Sequence, residues 1–377
     1  MSRILLLGCG RQAYGAAYAL AKLGHDLHLA DSLDGPPANL HSWLTDKGLG
    51  GRVIKSESLE WMSPELLTAI NECQGVFSGI PYHVTGELLK LCIEWGKAYV
   101  DLGCEPPDIA EARKLPQLNE PKTSFVFDAG LAPGLLNQLG ECLLEEMKGA
   151  ESCQLFCGGL PKKPWGPFGY FPYFAPESVV AEYLDDVVVL KEGIVVKRPG
   201  LSELETVEVP GEGTLEAFLT SGGESDAPGR LAKRIRNFEY KTLRYPGHCA
   251  AMTLMRDAGF WTPEPLAEGE TPPLTIFCRL LASGKGQAPP DKVVGLARVK
   301  AGDMVSEASF VHHYDSSLGL SAMSQMTGFP AAIVLDQALK SEPRGLLSAG
   351  EWGRAKSMTK ALKEFGVKIR TRSYRVK

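Results

Sequence analysis

The chain lacks any apolar run long enough to cross a membrane, a span that needs about 18 to 20 residues. Its longest apolar stretches are interrupted at Gly8, Asp31 or Asp336. The apolar stretch that ends before Gly8 is also too short for a signal peptide, and no small-residue cleavage site follows it. We therefore expect a protein that does not span a membrane, is not secreted and is located in the cytoplasm.

Cysteine pairs with a recognisable spacing are also lacking. The nine cysteines run from Cys9 to Cys278, and their odd number does not suit a disulfide framework. The closest two, Cys153 and Cys157, do not have the two-residue spacing of zinc and redox motifs. The histidines are scattered as well, so we predict reduced thiols and no metal site.

An excess of charge of one sign is missing too. The 40 Lys and Arg residues against 45 Asp and Glu residues give a formal net charge of -5. Such a balance gives no overall attraction to nucleic acid or to anionic lipid, which excludes both as expected partners. With 44% hydrophobic and 23% charged residues, the chain has an ordinary globular composition, and its 377 residues suggest at least two domains.

The first 130 residues alternate short β-rich segments with helical ones, which is the pattern of a parallel sheet covered by helices on both faces. Strands are predicted at Arg3–Gly8, Asp26–Asp31, Arg52–Lys55, Gly75–Gly79, Ala98–Leu102 and Ser124–Asp128. The count suits a doubly wound α/β (Rossmann) fold.

A change of pattern near Lys148 predicts a second domain, mixed α+β and largely antiparallel. Its predicted strands are Ser152–Gly158, Val187–Leu190, Ile194–Arg198, Phe238–Tyr245, Leu274–Ala282, Lys292–Lys300 and Ser306–Tyr314. The segment Val188–Val196 reads as a hairpin with a turn at Gly193. We place the domains at residues 1–130, 131–315 and 316–377, the last consisting of helices and a final strand.

The residues that follow the first strand match the dinucleotide-binding fingerprint G-x-G-x-x-G/A. Gly8, Gly10 and Ala13 occupy the small-residue positions, with Arg11 and Gln12 between them, and a helix follows directly. The first Gly allows a tight turn, the second a close approach of the backbone to a pyrophosphate, and Ala13 close packing of the helix. The motif stands in the strand-to-helix setting that it requires, so we predict nucleotide binding.

Asp31 ends the second strand, where a carboxylate can accept hydrogen bonds from the adenosine ribose. No Lys or Arg occurs between Asp31 and Lys47, which favours NAD, with NADP as the alternative, although Arg11 within the motif could contact a phosphate. The loops that carry Ser78, Ile80 and Asp101 follow the fourth and fifth strands, at the edge where such sheets bind ligands. They are candidates for the nicotinamide side of the site, and simple turns are the alternative.

Three further segments resemble the saccharopine dehydrogenase and lysine 6-dehydrogenase family. They are Phe127–Asn137, Leu215–Gly223 and Tyr240–His248, the last with the sequence YKTLRYPGH. The resemblance implies a substrate domain that pairs with another subunit, as a homodimer or larger oligomer, and a C-terminal part that packs back near the first domain. It also implies oxidation or reduction at a carbon–nitrogen bond of an amino acid related to lysine.

In the family, the Arg of the Leu-Arg-Tyr segment faces the substrate, which corresponds to Arg244 here. A guanidinium suits this role because it binds a carboxylate through two parallel hydrogen bonds. Thr242 shares its face of the strand, whereas Lys241 points to the other. For proton transfer we consider His248, which starts a helix after Pro246-Gly247, and Asp128, which ends the sixth strand; capping or turn formation is the alternative for each.

From these residues we expect an NAD(P)-dependent dehydrogenase that deaminates an amino acid, as a lysine 6-dehydrogenase does. Saccharopine-forming members often carry an acid where this chain has Ala132, which favours the deaminating reaction. A saccharopine dehydrogenase or imine reductase is the second hypothesis, and a protein that binds NAD without turnover is the third.

Overall fold

A computed structural model describes residues 1–283, 288–340, 343–353 and 355–376. The chain divides into two compact units. The first contains Met1–Cys142, Ser316–Leu320 and Ser324–Val367, and the second contains Leu143–Asp315, Ser321–Met323 and the residues from Lys368 onward. The domain limits given above from the sequence stay a prediction.

The strands are β1 (Arg3–Leu7), β2 (Asp26–Asp31), β3 (Val53–Ser58), β4 (Gly75–Ser78), β5 (Ala98–Asp101), β6 (Ser124–Phe127), β7 (Ser152–Pro161), β8 (Val187–Lys191), β9 (Ile194–Arg198), β10 (Glu205–Val209), β11 (Gly213–Leu219), β12 (Asn237–Arg244), β13 (Asp291–Ala301), β14 (Met304–His313), β15 (Gly345–Ser348) and β16 (Arg370–Arg375). The α-helices are α1 (Ala13–Lys22), α2 (Gly35–Asp46), α3 (Pro64–Glu72), α4 (Thr85–Trp95), α5 (Pro106–Ala112), α6 (Leu135–Glu146), α7 (Pro176–Leu184), α8 (Ala227–Leu231), α9 (His248–Asp257), α10 (Pro273–Ala282), α11 (Ala322–Ala338), α12 (Ala349–Trp352) and α13 (Ala355–Glu364).

The first unit contains a seven-stranded parallel sheet in the order β15-β6-β5-β4-β1-β2-β3. β4, β5 and β6 are buried along their whole length, as expected for a parallel sheet with both faces covered. The predicted Rossmann-type fold is confirmed, and all six predicted strands are present. The seventh strand, β15, comes from the C-terminal part of the chain and pairs with β6.

Helix α1 packs very closely against α11 in this unit. A Cβ at Gly15 would lie 2.0 Å from the Ser324 carbonyl oxygen, and a Cβ at Gly328 would lie 2.2 Å from the Ala16 nitrogen. Only glycine permits this backbone approach, because any larger side chain would force the two helices apart. The contact fixes the helix that starts directly after the dinucleotide motif.

The second unit contains a nine-stranded mixed sheet. Its main path is β10-β11-β12-β7-β13-β14-β16, with β8 on β12 and β9 on β8. The β7–β12 pair is parallel, and the other pairs between the described strands of this sheet are antiparallel. The largely antiparallel prediction is confirmed, including the β8–β9 hairpin, in which Glu192 and Gly193 adopt positive φ. The sequence analysis had not predicted β10 and β11.

One predicted strand is wrong. The segment predicted as strand Leu274–Ala282 is helix α10. Its buried residues Phe277, Cys278 and Leu281 recur at helical spacing, and two prolines stand at its start, where they suit a helix N-terminus.

Within the described ranges, no helix is long and apolar enough to cross a membrane. The same part of the chain has no group of three or more His, Cys, Asp or Glu side chains that could hold a metal ion.

Candidate active site

In the first unit, the backbone after β1 forms an open cradle. Gly8 has φ +90° and donates its amide to the Ala30 carbonyl at 2.8 Å. A Cβ at Gly8 would lie 2.6 Å from the Gly79 carbonyl carbon, so the loops after β1 and β4 approach through their backbones. Gly10 is exposed and has no atom near its Cβ position, which leaves room for a ligand against the backbone.

A serine that the sequence analysis missed supports the start of α1. The Ser324 hydroxyl accepts from the Gly15 amide at 3.0 Å and donates to the Arg11 carbonyl at 2.9 Å. Gln12 stands at the N-cap position without a capping hydrogen bond, and Ala13 is buried. Ser324 is more than 300 residues away along the chain, so no local pattern could have indicated this contact.

Asp31 lies at the carboxyl end of β2 with a fixed carboxylate. Its Oδ2 accepts from the Cys9 amide at 2.7 Å and its Oδ1 accepts from the Leu33 amide at 3.1 Å. Arg11, which lies within the dinucleotide motif, is exposed. An open glycine backbone, a helix N-terminus and an acid held at the next strand end together fit a dinucleotide.

The other predicted cofactor residues differ in exposure. Ser78 is buried at the end of β4, whereas Ile80, two residues further on, is half-buried. The Gly79 amide between them donates to the Leu7 carbonyl at 2.7 Å, which holds this loop against β1. Of the two, Ile80 has surface available for a ligand.

Asp101 and Asp128 are two buried acids at the ends of β5 and β6. The Asp128 amide donates to Asp101 Oδ1 at 2.8 Å, and Asp128 Oδ1 accepts from the Cys104 amide at 3.3 Å. Asp128 has φ +58°, a strained conformation for a residue other than glycine. Burial and the neighbouring Asp128 charge raise the pKa of Asp101 to about 8. Asp101 was predicted as a cofactor residue, and the structure shows its side chain fully buried and engaged with Asp128.

In the second unit, Arg244 lies at the end of β12 with its guanidinium buried. Its Nε donates to the Tyr183 hydroxyl at 3.0 Å and its Nη1 to the Leu243 carbonyl at 3.0 Å. The guanidinium carbon lies 4.4 Å from the centre of the Tyr170 ring. Among the described residues, no carboxylate forms a salt bridge with this cation, although the charge of Glu182 acts on it. A buried cation without a counterion is costly, so the arrangement suits an anionic ligand.

His248 begins α9 and is held at both ring nitrogens. Nδ1 lies 2.8 Å from the Phe168 carbonyl oxygen, which can only accept, so Nδ1 carries the proton. Nε2 therefore accepts from the Tyr183 hydroxyl at 3.0 Å. Burial and the charge of Arg244 lower the pKa of His248 to about 3. Burial is the main cause of this shift, and it makes the ring a weaker base than an ordinary histidine.

Tyr183 thus connects Arg244 with His248 through one hydroxyl group. It accepts from Arg244 and donates to His248, so the hydrogen bonds run in a single direction from Arg244 to the Phe168 carbonyl. The Glu216 carboxylate accepts from the amides of Gly247 and Cys249 and fixes the start of the helix that carries His248. The sequence analysis missed Tyr183, because its position in an apolar helix face is typical of a core residue.

Thr242 and Lys241 lie on opposite faces of β12, as predicted. The Thr242 hydroxyl pairs with the Thr220 hydroxyl at 2.7 Å, whereas Lys241 Nζ bonds to Glu205 at 2.5 Å. Arg244, Thr242 and His248 all belong to the second unit and Asp128 belongs to the first. The structure brings Arg244 and His248 together through Tyr183.

The glycine cradle, the helix N-terminus and Asp31 on a doubly wound sheet place the first unit in the dinucleotide-binding α/β class. The chain belongs to the saccharopine dehydrogenase family: the model of the saccharopine dehydrogenase C-terminal domain matches residues 130–368, which is more than half of its length. The resemblance seen in the sequence is thereby confirmed.

A solved structure shows the same fold. The apo saccharopine dehydrogenase (L-Glu forming) from Saccharomyces cerevisiae superposes with a TM-score of 0.75 at 17% identity, covering 99% of this chain and 100% of that one. The WlbA dehydrogenase from Bordetella pertussis, solved with NADH and UDP-GlcNAcA, gives a TM-score of 0.41 at 10% identity, with 100% and 98% coverage. The second similarity is too weak to carry an argument, and the first shows the fold alone.

Proposed function

We propose that this chain is an NAD(P)-dependent amino-acid dehydrogenase that acts on a carbon–nitrogen bond, with NAD preferred. The proposed reaction is oxidative deamination of lysine or a close relative. The amine-bearing carbon gives up a hydride, its nitrogen gives up a proton, and water hydrolyses the resulting imine to an aldehyde and ammonium. Family membership supports the reaction class, and the residues of the chain support the kind of substrate.

The observation that carries the proposal is Arg244. Arg244 is about 3% exposed, its guanidinium lies over the Tyr170 ring and donates to Tyr183, and it forms no salt bridge within the described residues. The planar group can hold a carboxylate through parallel charge-assisted hydrogen bonds, which strengthen in a desolvated pocket. An amino acid supplies this carboxylate, and a sugar or simple alcohol does not.

The dinucleotide would be held by the backbone around Gly8 and Gly10, by the helix that begins at Ala13, and by Asp31 at its ribose. When bound, the nicotinamide supplies the hydride acceptor. The absence of a cation between Asp31 and Lys47 supports NAD over NADP, since the 2′-phosphate of NADP would meet a negative charge there.

For the proton step, the pKa of Asp101 at the end of β5 is closer to neutral pH than that of His248. A group that exchanges a proton efficiently has a pKa near the working pH, and the pKa of Asp101 is about 8 whereas that of His248 is about 3. We keep Asp128, whose charge acts on Asp101, as the proposed group for proton transfer, and we assign His248 to orientation of the pocket through Tyr183.

A glutamate-forming saccharopine dehydrogenase is the second candidate, favoured by the family model and by the yeast structure. It uses the same carboxylate contact, so Arg244 does not separate the two. Consumption of NADPH with an aldehyde and glutamate, rather than reduction of NAD with lysine, would favour it.

The test uses the purified full chain with NAD or NADP and with lysine, saccharopine and other diamino acids in turn. We expect reduced nicotinamide with at least one of them, and Arg244→Lys should raise KM by about tenfold to a hundredfold because a lysine cannot bind a carboxylate bidentately. The matched control is Arg298→Lys, since Arg298 is ion-paired with Glu307 in the same sheet. NAD binding without reduction in the presence of any amine would contradict the proposal and indicate a nucleotide-binding protein.

A further inference from the structure

Asp128 has a strained backbone, and three hydrogen bonds from the end of β5 hold it and its neighbour Ala129. Its φ of +58° lies in the left-handed region, which residues other than glycine rarely adopt. The Asp128 amide donates to Asp101 Oδ1 at 2.8 Å, and the Ala129 amide donates to the Asp101 carbonyl at 2.9 Å. The Cys104 amide donates to Asp128 Oδ1 at 3.3 Å. Such a conformation persists only where the surrounding structure fixes it, and Asp101 supplies two of these three contacts.

The side chain of Asp101 is suited to this role in its neutral form. It is fully buried, and no cation pairs with it among the described residues. Oδ1 accepts from the Asp128 amide, whereas Oδ2 has no hydrogen-bond partner in the described part of the chain. An ionised carboxylate with a single donor would be costly at this position, and burial raises the pKa of Asp101 to about 8.

Two buried hydroxyl groups lie on the same face of the sheet as Asp101. Ser78 is paired with Asp101 in the β4–β5 register, and Tyr99 precedes Asp101 by two residues on β5. Ser78 Oγ and Tyr99 Oη also lack hydrogen-bond partners within the described ranges. A protonated Oδ2 is a donor, for which a hydroxyl oxygen is a suitable acceptor, whereas neither hydroxyl group could balance a negative charge.

We propose that Asp101, with a proton on its carboxyl group, is a positioning residue that holds Asp128 in the orientation for proton transfer. The left-handed conformation ends β6 and decides in which direction the Asp128 carboxyl group leaves the backbone. This inference rests on the proposed function, because it takes Asp128 as the group that exchanges the proton. Asp101 is fully buried and acts through Asp128.

The first test compares Asp101→Asn with Asp101→Leu in the full chain with NAD and lysine, or with saccharopine where lysine is not oxidised. Asn is uncharged and keeps an oxygen that can accept from the Asp128 amide, whereas Leu has a similar size and no acceptor. We expect kcat to fall by less than about tenfold in Asp101→Asn and by about a hundredfold in Asp101→Leu, since a small misplacement of a reacting group costs that much. KM should change by less than about threefold, because the Arg244 contact with the substrate belongs to the other unit.

Asp336→Leu is the matched control. Asp336 Oδ1 pairs with His25 Nε2 at 2.9 Å directly before β2, at the opposite edge of the sheet. The variant leaves the buried His25 without this partner, so it should lower the urea midpoint as Asp101→Leu does, while kcat stays within about threefold. A fall of kcat in Asp101→Leu no larger than in this control would overturn the inference. So would an equal fall in Asp101→Asn and Asp101→Leu, because the acid of Asp101 itself would then be required.

Crystal structures of the two Asp101 variants test the contact without any substrate. The φ angle of residue 128 should stay near +58° in Asp101→Asn and leave the left-handed region in Asp101→Leu. An unchanged φ angle in Asp101→Leu would show that other contacts hold Asp128 and that the inference is wrong. Absence of reduced nicotinamide with every amine would refute the proposed function and the role of Asp128 in it, whereas the crystal structures would still decide whether Asp101 holds Asp128.

Discussion

Tyr183→Phe is the change that most directly tests how the pocket in the second unit is held together. It removes one oxygen atom and keeps the aromatic ring that packs against Phe218 and Trp261. The lost oxygen accepts from Arg244 Nε at 3.0 Å and pairs with His248 Nε2 at 3.0 Å. Two buried polar groups therefore lose a partner at once.

A buried donor or acceptor left unpaired costs about 1–3 kcal/mol. Because two groups lose a partner, Tyr183→Phe should lower the free energy of unfolding by about 2–6 kcal/mol. The guanidinium, released at Nε, should also bind a carboxylate less well, and a loss of about 1.4 kcal/mol corresponds to a tenfold weaker Kd. We expect kcat to change much less than KM, because Tyr183 acts through Arg244.

Urea unfolding measures the free energy of unfolding. The Kd for hexanoate, a simple carboxylate, measures how well Arg244 binds a carboxylate and does not require turnover. Tyr173→Phe is the control: its hydroxyl donates to the Pro289 carbonyl at 3.1 Å, and it is buried to a similar degree. Tyr173→Phe should leave the Kd for hexanoate unchanged. If Tyr183→Phe matched this control in both measurements, the orienting role of the hydroxyl would be refuted.

Two further predictions concern the first unit. The pKa of Asp101 is raised to about 8 in the folded state, so its proton stabilises the fold at low pH, and this contribution is lost as the pH rises from about 4 through 8. Asp101→Asn should flatten this decline in urea midpoints measured from pH 5 to pH 9, and an unchanged slope would contradict the assignment. Gly134→Ala should lower the free energy of unfolding by about 1–3 kcal/mol, since Gly134 has φ +136° and a Cβ would lie 2.1 Å from the Gly130 oxygen. A Cβ at Gly51 would meet no atom, so Gly51→Ala should leave the midpoint of thermal unfolding nearly unchanged. Equal shifts of the midpoint in Gly134→Ala and Gly51→Ala would disprove the steric argument.

The parts of the fold that the sequence predicts are those in which local spacing is enough. The strands of the first sheet follow from short apolar runs separated by helical segments, and the hairpin β8–β9 follows from Gly193 between two β-rich segments. Helix α10 shows the limit of this reasoning, because Thr275, Ile276 and Phe277 favour a strand individually while the helical spacing of the buried residues decides the structure.

The candidate site was predictable only in part. The motif at Gly8 and Gly10 and the position of Arg244 are visible in the chain, since each depends on a short run of residues. The hydrogen-bond partners of the site residues cannot be predicted in this way, because they lie far away along the chain. Tyr183 lies 61 residues from Arg244 and 65 from His248, and Asp101 lies 27 residues from Asp128.

The sequence by itself determined the class of fold, the cradle for a dinucleotide and the type of group offered to a substrate, because strand and helix periods and small-residue motifs are local properties of the chain. Tertiary structure alone decided that Arg244 is buried without a salt bridge to any described residue, that the imidazole of His248 is neutral with its proton on Nδ1, and that β15 completes the first sheet. These features arise from side chains far apart in sequence, whose burial and hydrogen bonds exist only once the chain has folded.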